Sequence, residues 1–118
     1  VSGWFGGNSS GGRAFVGHVP VRVYDSRSGS ALVAGATVSL LATEVAVYNV
    51  AAVEPSWFGW LSAKPCGVAA TSSILNTAPS ENTANVATVA SGIGGDICIG
   101  TSISTHVIVD RVGTFVLV

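Results

Sequence analysis

The chain has 118 residues, of which 48% are hydrophobic and only 9% charged, and its formal net charge is −1. This length is enough for one domain with a core of its own, and the high apolar content argues against disorder. The five Lys and Arg residues are scattered and form no basic patch, so we expect no nucleic-acid partner. No apolar run approaches the roughly 18 residues of a membrane-spanning helix, so we expect no membrane insertion.

Residues 1–12 are predicted to form an N-terminal strand followed by a Gly/Ser-rich linker. The opening Val1–Phe5 echoes Val112–Phe115 near the other end of the chain. We therefore expect Val1–Phe5 to pack against a β-sheet, in its own module or a neighbouring one, with Trp4 and Phe5 as an assembly contact. Because the chain begins without an initiator Met, we also expect it to be processed or excised from a longer protein.

Residues 13–118 are predicted to form a single domain built only of strands. Short β-rich runs alternate with Gly, Pro, Asn and Ser signals, and no stretch shows a convincing helical period. The predicted strands are Ala14–Tyr24 with a break near Pro20, Ala36–Ala42, Glu44–Val50, Phe58–Ala63, Ser73–Asn76, Asn85–Val89, Ile97–Gly100, His106–Asp110 and Gly113–Val118. Many short strands at this spacing favour an all-β antiparallel sandwich of the Greek-key or jelly-roll kind, with a closed β-barrel as the alternative.

Two runs carry information about strand position. In residues 45–50 the even-numbered side chains Ala46, Tyr48 and Val50 face one way and the odd-numbered ones the other, as in a strand with two different faces. The run Val107–Val109 is apolar on both faces, so we place it in a central strand.

Asp25 and Arg27 stand at the end of the first long predicted strand, in a chain with few charges. Side chains two residues apart on a strand point the same way, so the two can pair with each other, or Arg27 can reach Asp110. Because buried ions are costly unless they are paired, we interpret Asp25, Arg27 and Asp110 as a structural corner. Ligand contacts by Asp25 and Arg27 are the alternative.

An aromatic cluster, Trp57-Phe58-Gly59-Trp60, follows Pro55. Strand alternation would place Trp57 with Gly59 on one face and Phe58 with Trp60 on the other, with one face entering the core. Both indoles packed within the fold is one interpretation. The other is an exposed Trp57 or Trp60 that binds a ligand by stacking on a sugar ring or on a partner side chain.

Cys66 and Cys98 are the only cysteines. Without CxxC spacing, and with only two histidines in the chain, they make a weak case for zinc. We predict a disulfide between them, with two buried free thiols as the alternative. A disulfide implies an oxidising compartment, so we expect a secreted or surface-exposed protein.

Catalytic and metal sites have little support. A Ser/His/Asp triad can be assembled on paper from His18 or His106, a serine, and Asp25 or Asp110, but no GxSxG motif accompanies it. A chain of this length leaves little room for a cleft with paired carboxylates, and no DxDxDG calcium loop is present. We therefore expect no enzyme activity, no metal and no cofactor, and we interpret His106 as a structural residue bonded to backbone or to a carboxylate.

Four segments in order resemble a repeat module of secreted actinobacterial proteins. Its "PVRVLDTRSG" opening, "AVVLNVTA" strand, "SSLN…AN" pair and "THVIVDVVGYF" ending are similar, respectively, to Val19–Gly29, Ala46–Ala52, Ser73–Asn76 followed by Ala84–Val86, and Thr105–Phe115. The chain departs from this pattern at Ala51, where Thr is usual, and at Arg111, where a small apolar residue is usual. The resemblance implies a non-catalytic β-rich module, often in tandem or attached to envelope-acting enzymes, and phages can carry similar modules on their virions.

These observations favour a surface module that mediates binding or display at a bacterial cell envelope, through contacts with a glycan or a surface protein. The alternative is a structural assembly subunit, such as a phage decoration or tail protein or a filament protomer, which would place the chain on a virion surface and make other copies of itself the partner.

Overall fold

Nine β-strands and one 3-10 turn occur in the described part of the computed structural model, which comprises residues 4–5, 13–42, 45–68, 73–90 and 95–117. The strands are β1 (Trp4–Phe5), β2 (Arg13–Asp25), β3 (Thr37–Leu41), β4 (Ala46–Val53), β5 (Gly59–Pro65), β6 (Leu75–Thr77), β7 (Thr83–Val89), β8 (Asp96–Thr101) and β9 (His106–Leu117). The 3-10 turn, Ser26–Ser28, is capped by the Asp25 side chain, which accepts a hydrogen bond from the Arg27 N–H.

The strands pair antiparallel in a nested order: β2 with β9, β3 with β8, β4 with β7, and β5 with β6. Further β4–β9 and β5–β8 pairings complete two sheets, one ordered β1-β2-β9-β4-β7 and the other β3-β8-β5-β6. This nesting is the topology of an eight-stranded jelly roll, to which the two-residue β1 is added at one edge. The predicted antiparallel sandwich is confirmed, and the closed barrel is wrong because the two sheets stay separate.

The core lies between the sheets. From the first sheet it receives Tyr48, Val50, Val107 and Val109, and from the second Leu61, Ile97 and Ile99, together with smaller residues. The alternation predicted for residues 45–50 is confirmed, because Ala46, Tyr48 and Val50 all belong to this cluster. The run Val107–Val109 lies in β9, which is the central strand of its sheet as predicted.

Strand continuity differs from the prediction at two places. His106–Asp110 and Gly113–Val118 were predicted as separate strands, but β9 runs without interruption from His106 to Leu117, and a register shift opposite Val47 and Tyr48 absorbs Val112 as a bulge. The predicted break near Pro20 is likewise a register shift, between Gly17 and Val21 of a continuous β2. A bulge near the sheet edge suits proline, which has no N–H to donate.

The N-terminal segment contributes β1, in which Trp4 pairs with Ala14 and Phe5 with Arg13 of the same chain. This confirms that Trp4–Phe5 joins a sheet of its own module. Val1–Gly3 and the linker lie outside the described residues, and a contact of Trp4 and Phe5 with another copy stays a prediction.

The predicted disulfide is confirmed: Cys66, directly after β5, is bonded to Cys98 of β8 with an S–S distance of 2.07 Å, so the free-thiol alternative is wrong. Cys98 alternates along β8 with the buried Ile97 and Ile99, so the bridge lies on the outer face of the four-stranded sheet. A disulfide indicates an oxidising environment. Among the described residues, no helix is long and apolar enough to cross a membrane.

Candidate functional site

The loop between β4 and β5 is tied to its surroundings by its own backbone. Glu54 donates its N–H to Asn82 Oδ1 at 2.8 Å, and Ser56 donates its N–H to the Ser104 carbonyl at 2.8 Å. Pro55 is fully buried, and its carbonyl accepts the Ser80 N–H at 2.8 Å. The backbone that leads into the aromatic side chains is therefore held in one position.

Three aromatic side chains emerge where this loop enters β5, and we call them the aromatic patch: Trp57, Phe58 and Trp60 are 62%, 63% and 54% exposed. The Trp57 and Phe58 rings meet edge to face, with centroids 5.4 Å apart. The expectation that one face of this cluster enters the core is wrong, as is the interpretation with both indoles packed inside. Trp57 and Phe58 precede the strand, and Trp60 lies on the outer side of β5, next to the buried Leu61.

Gly59 lies close against residues 102–103, and this contact sets the position of the aromatic patch. A Cβ added to Gly59 would lie 2.5 Å from Ser102 Oγ and 2.8 Å from a side-chain carbon of Ile103. No larger residue fits unless the segment 102–103 moves. The close approach brings the Trp60 N–H to Ser102 Oγ at 2.8 Å, so β5 is anchored at its first residues.

An uncharged amide lies beside Trp60, and hydrogen bonds fix the backbone around it. Its partner across the β5–β6 pair is the exposed Asn76, and the Ser102 N–H donates to the Trp60 carbonyl at 3.0 Å. The neighbouring Thr77 hydroxyl donates to the Trp57 carbonyl at 3.0 Å. An exposed indole can stack on the apolar face of a ring, and the exposed Asn76 amide beside it can hydrogen-bond the polar rim of the same ligand.

A charged corner lies at the end of β2. Arg27 donates to both carboxylate oxygens of Asp25, from Nε at 3.0 Å and from Nη2 at 2.9 Å. Arg22 bridges Asp25, at 2.8 Å, and Asp110. Arg27 thus pairs with Asp25, whereas Asp110 is held by Arg22, which the sequence analysis did not single out. The Arg27 guanidinium, together with the Arg27 backbone N–H, holds the pKa of Asp25 well below its usual range.

The corner is only partly buried: the Arg22 and Arg27 side chains are about half exposed, while Asp25 and Asp110 are more covered. Each carboxylate is already engaged by at least one guanidinium of the same chain. The geometry therefore favours the interpretation of Asp25, Arg27 and Asp110 as structural over ligand contacts by Asp25 and Arg27.

Ser26 and His106 meet beside this corner, with Ser26 Oγ 2.9 Å from His106 Nδ1. The same oxygen accepts the buried Val107 N–H at 2.8 Å, and Ser26 is itself buried. The partner of His106 is therefore a hydroxyl, in place of the backbone or carboxylate that we expected. His18 Nδ1 lies 2.8 Å from the Val19 carbonyl and is not part of this pair.

Within the described ranges, no group of three or more His, Cys, Asp or Glu side chains is placed to hold a metal ion. The comparisons with known proteins add no relative: no family model, no curated protein and no solved structure matches the chain.

Proposed function

We propose that this protein is a non-catalytic module that binds a glycan of a bacterial cell envelope through its aromatic patch. The observation that carries the proposal is the exposure of Trp57, Phe58 and Trp60, each more than half accessible, where β5 begins after a loop that backbone hydrogen bonds hold in place. Scattered exposed apolar residues need no explanation, but three aromatic rings within four residues form a patch of the kind that marks interaction sites.

Preorganisation supports the proposal energetically. Each aromatic side chain can remove about 150–250 Å² from water when it is fully buried, so three of them supply substantial binding energy at a small site. Because Pro55, Gly59 and the Ser102 contact already fix the loop, little ordering entropy is lost when a ligand docks.

The chemistry around Trp60 favours a saccharide. A sugar ring has an apolar face for the indole and hydroxyls for uncharged groups such as the Asn76 amide. The disulfide supports an exported location, and the resemblance to secreted actinobacterial modules supports an envelope. Jelly rolls occur in both lectin and capsid domains, so the proposal depends on the surface and not on the fold.

Co-sedimentation with purified, protease-treated actinobacterial sacculi tests the proposal. We expect the wild type to sediment, and Trp57→Ala and Trp60→Ala each to lose about tenfold or more in affinity, because each change removes a large apolar contact. Leu41→Ala is the matched control, since Leu41 is 77% exposed but lies on β3, away from the aromatic patch. Equal sedimentation of all variants would contradict the proposal. Sedimentation with untreated walls but not with protease-treated sacculi would also contradict it, because the ligand would then be a wall protein.

A structural assembly subunit is the second candidate, favoured by a specific feature of β2. Val16, Val19 and Val21 are exposed at 45%, 83% and 44%, and among the described residues β1 pairs only with Arg13 and Ala14 of this long strand. If copies associate along β2, native mass spectrometry should show oligomers that Val19→Asp dissociates. A monomer at all concentrations would reject this candidate.

A further inference from the structure

The sandwich has two open sides, where edge strands of its two sheets lie next to each other. At one side β6 and β7 adjoin, and Asn85 joins them: its Nδ2 donates to the Ile74 carbonyl at 2.7 Å, and its Oδ1 accepts the Val86 N–H at 2.9 Å. This amide bridges the two sheets and occupies one backbone N–H of β7. β2 and β3 form the other side, and in the described part of the chain no hydrogen bond joins them.

β3 presents a regular backbone edge on this second side. In an antiparallel ladder, the N–H and C=O groups of alternate residues face the neighbouring strand. Directly after β3, the Ala42 N–H donates to the Gly95 carbonyl at 2.6 Å, so the even-numbered residues face β8. The backbone groups of Thr37, Ser39 and Leu41 therefore point away from the sheet, and no described strand pairs with them.

β3 also lacks the features that usually protect an edge strand, which are a proline, a bulge or a charged side chain. β2 has such protection, because it contains Pro20 and its pairing with β9 shifts register at two places. The β3 sequence TVSLL is uncharged, and all five of its residues pair in register with β8. On this side of the described structure, β3 is therefore the edge that a further strand can join directly.

Exposed apolar side chains lie on the same side of the sandwich. Val16, Val19 and Val21 of β2 are exposed, and Leu41 at the end of β3 is 77% exposed. An apolar surface beside an open strand edge favours association with a further strand. Two separate features, the free backbone groups of β3 and these apolar side chains, thus indicate an interaction surface.

A second copy of the chain fits this edge. Antiparallel pairing about Ser39 places Thr37 opposite the partner's Leu41, so that the outward N–H groups of each copy meet carbonyls of the other and no charged residue of one β3 meets one of the other. The molecule measures 47 × 28 × 23 Å. A side that runs along its strands is therefore large enough for the roughly 800 Å² per partner of a standard interface.

We propose that two copies of this chain associate side by side through β3, in antiparallel register about Ser39, and so join their four-stranded sheets into one continuous sheet. This dimer does not depend on the proposed function. Because the outer faces of the two sheets become one surface, the Trp60 side chains of both copies face the same way. The two β5 strands lie five strand spacings apart, roughly 24 Å.

Sedimentation velocity of the full chain over a range of concentrations, together with native mass spectrometry, tests the dimer. We expect a reversible dimer for the wild type. In Thr37→Lys/Leu41→Lys each introduced lysine faces one of the partner, so the dimer dissociation constant should rise about tenfold or more. Val86→Lys is the matched control and should dimerise like the wild type, since Val86 is an exposed apolar residue of an edge strand on the other side of the sandwich.

The variant Thr37→Lys/Leu41→Glu tests the register. In antiparallel pairing about Ser39, each introduced lysine meets a glutamate of the partner, so we expect a dissociation constant close to that of the wild type. Both double variants change the same two exposed side chains, and their melting temperatures show whether each is folded. Equal weakening of the dimer in the two double variants would contradict this register.

Other outcomes would overturn the dimer itself. A wild type that stays monomeric up to the highest soluble concentration would do so, and it would leave the proposed glycan binding untouched. A dimer that Thr37→Lys/Leu41→Lys leaves intact would also overturn the inference. If Val19→Asp dissociates that dimer, the copies associate along β2 as in the second candidate above, and not along β3.

Discussion

Ser26 Oγ joins the 3-10 turn to the central strand β9, because it lies 2.9 Å from His106 Nδ1 and also accepts the Val107 N–H at 2.8 Å. Both hydrogen bonds cross 80 or more positions of sequence. One buried hydroxyl therefore fixes the turn after β2 against β9, the strand that pairs with both β2 and β4.

Ser26→Ala should destabilise the fold by about 1–3 kcal/mol, because it leaves the buried Val107 N–H without a partner. Urea unfolding measures this. Ser28→Ala is the control, since Ser28 is exposed in the same turn and donates only to the Asp25 carbonyl. Similar losses for the two variants would show that burial of the hydrogen bond is not what matters.

The Asp25 carboxylate should make stability fall in acid. Because hydrogen bonds from Arg27 lower the folded-state pKa of Asp25, the favourable contribution is present above the unfolded-state pKa of about 4. It is lost as the pH drops below that value towards the folded-state pKa. We expect Asp25→Asn to be less stable than the wild type at pH 7 and to show a shallower decrease of melting temperature below pH 4.

Glu81→Gln is the control for this titration, because Glu81 is an exposed acid outside the charged corner. The part of the acid-induced decrease in melting temperature that is due to Asp25 should be small even in the wild type, since a half-exposed ion pair contributes little in water. A pH profile of Asp25→Asn that parallels the wild type throughout would contradict the assignment.

Removal of the disulfide should cost about 3–4 kcal/mol in the chain-entropy model, because Cys66 and Cys98 are 32 positions apart. The variant Cys66→Ala/Cys98→Ala compared with the wild type in urea measures the loss. The bridge lies on the outer face and not in the core, so we expect the variant to stay folded with an unchanged β-sheet circular dichroism spectrum. Equal unfolding midpoints for the two proteins would contradict a stabilising bridge.

Gly59→Ala should act on both stability and binding. Its Cβ would overlap Ser102 Oγ and Ile103, so we expect a loss of about 1–3 kcal/mol from overpacking and weaker sedimentation with sacculi as the aromatic patch shifts. Full stability with normal sedimentation would show that the close approach at Gly59 does not hold the patch in place.

The sequence predicts those features of the fold that depend on neighbouring residues of a single strand. The alternation of Ala46, Tyr48 and Val50 is a property of one strand, and the doubly apolar Val107–Val109 points directly to a strand flanked on both sides. The continuity of β9 could not be predicted, since the register of β4 determines that Val112 is a bulge and not a turn.

In the candidate site, too, the features that the sequence did not predict depend on residues far apart in the chain. The ion pair between Arg22 and Asp25 spans three residues, which on a regular strand would place the two side chains on opposite faces. A register shift between Arg22 and Tyr24 inserts one extra residue and brings them to the same side. Exposure of Trp57 and Phe58 likewise depends on a loop whose position is set by distant partners, Asn82 and Ser104.

The indole N–H signals of ¹⁵N-labelled protein test the central claim most directly, because the chain has three tryptophans and a Trp4→Phe variant identifies the third signal. During titration with soluble glycan fragments released from sacculi, we predict saturable shifts of the Trp57 and Trp60 indole signals, with one shared dissociation constant. Indole signals of Trp57 and Trp60 that stay unmoved up to the highest concentration of these fragments would contradict the account.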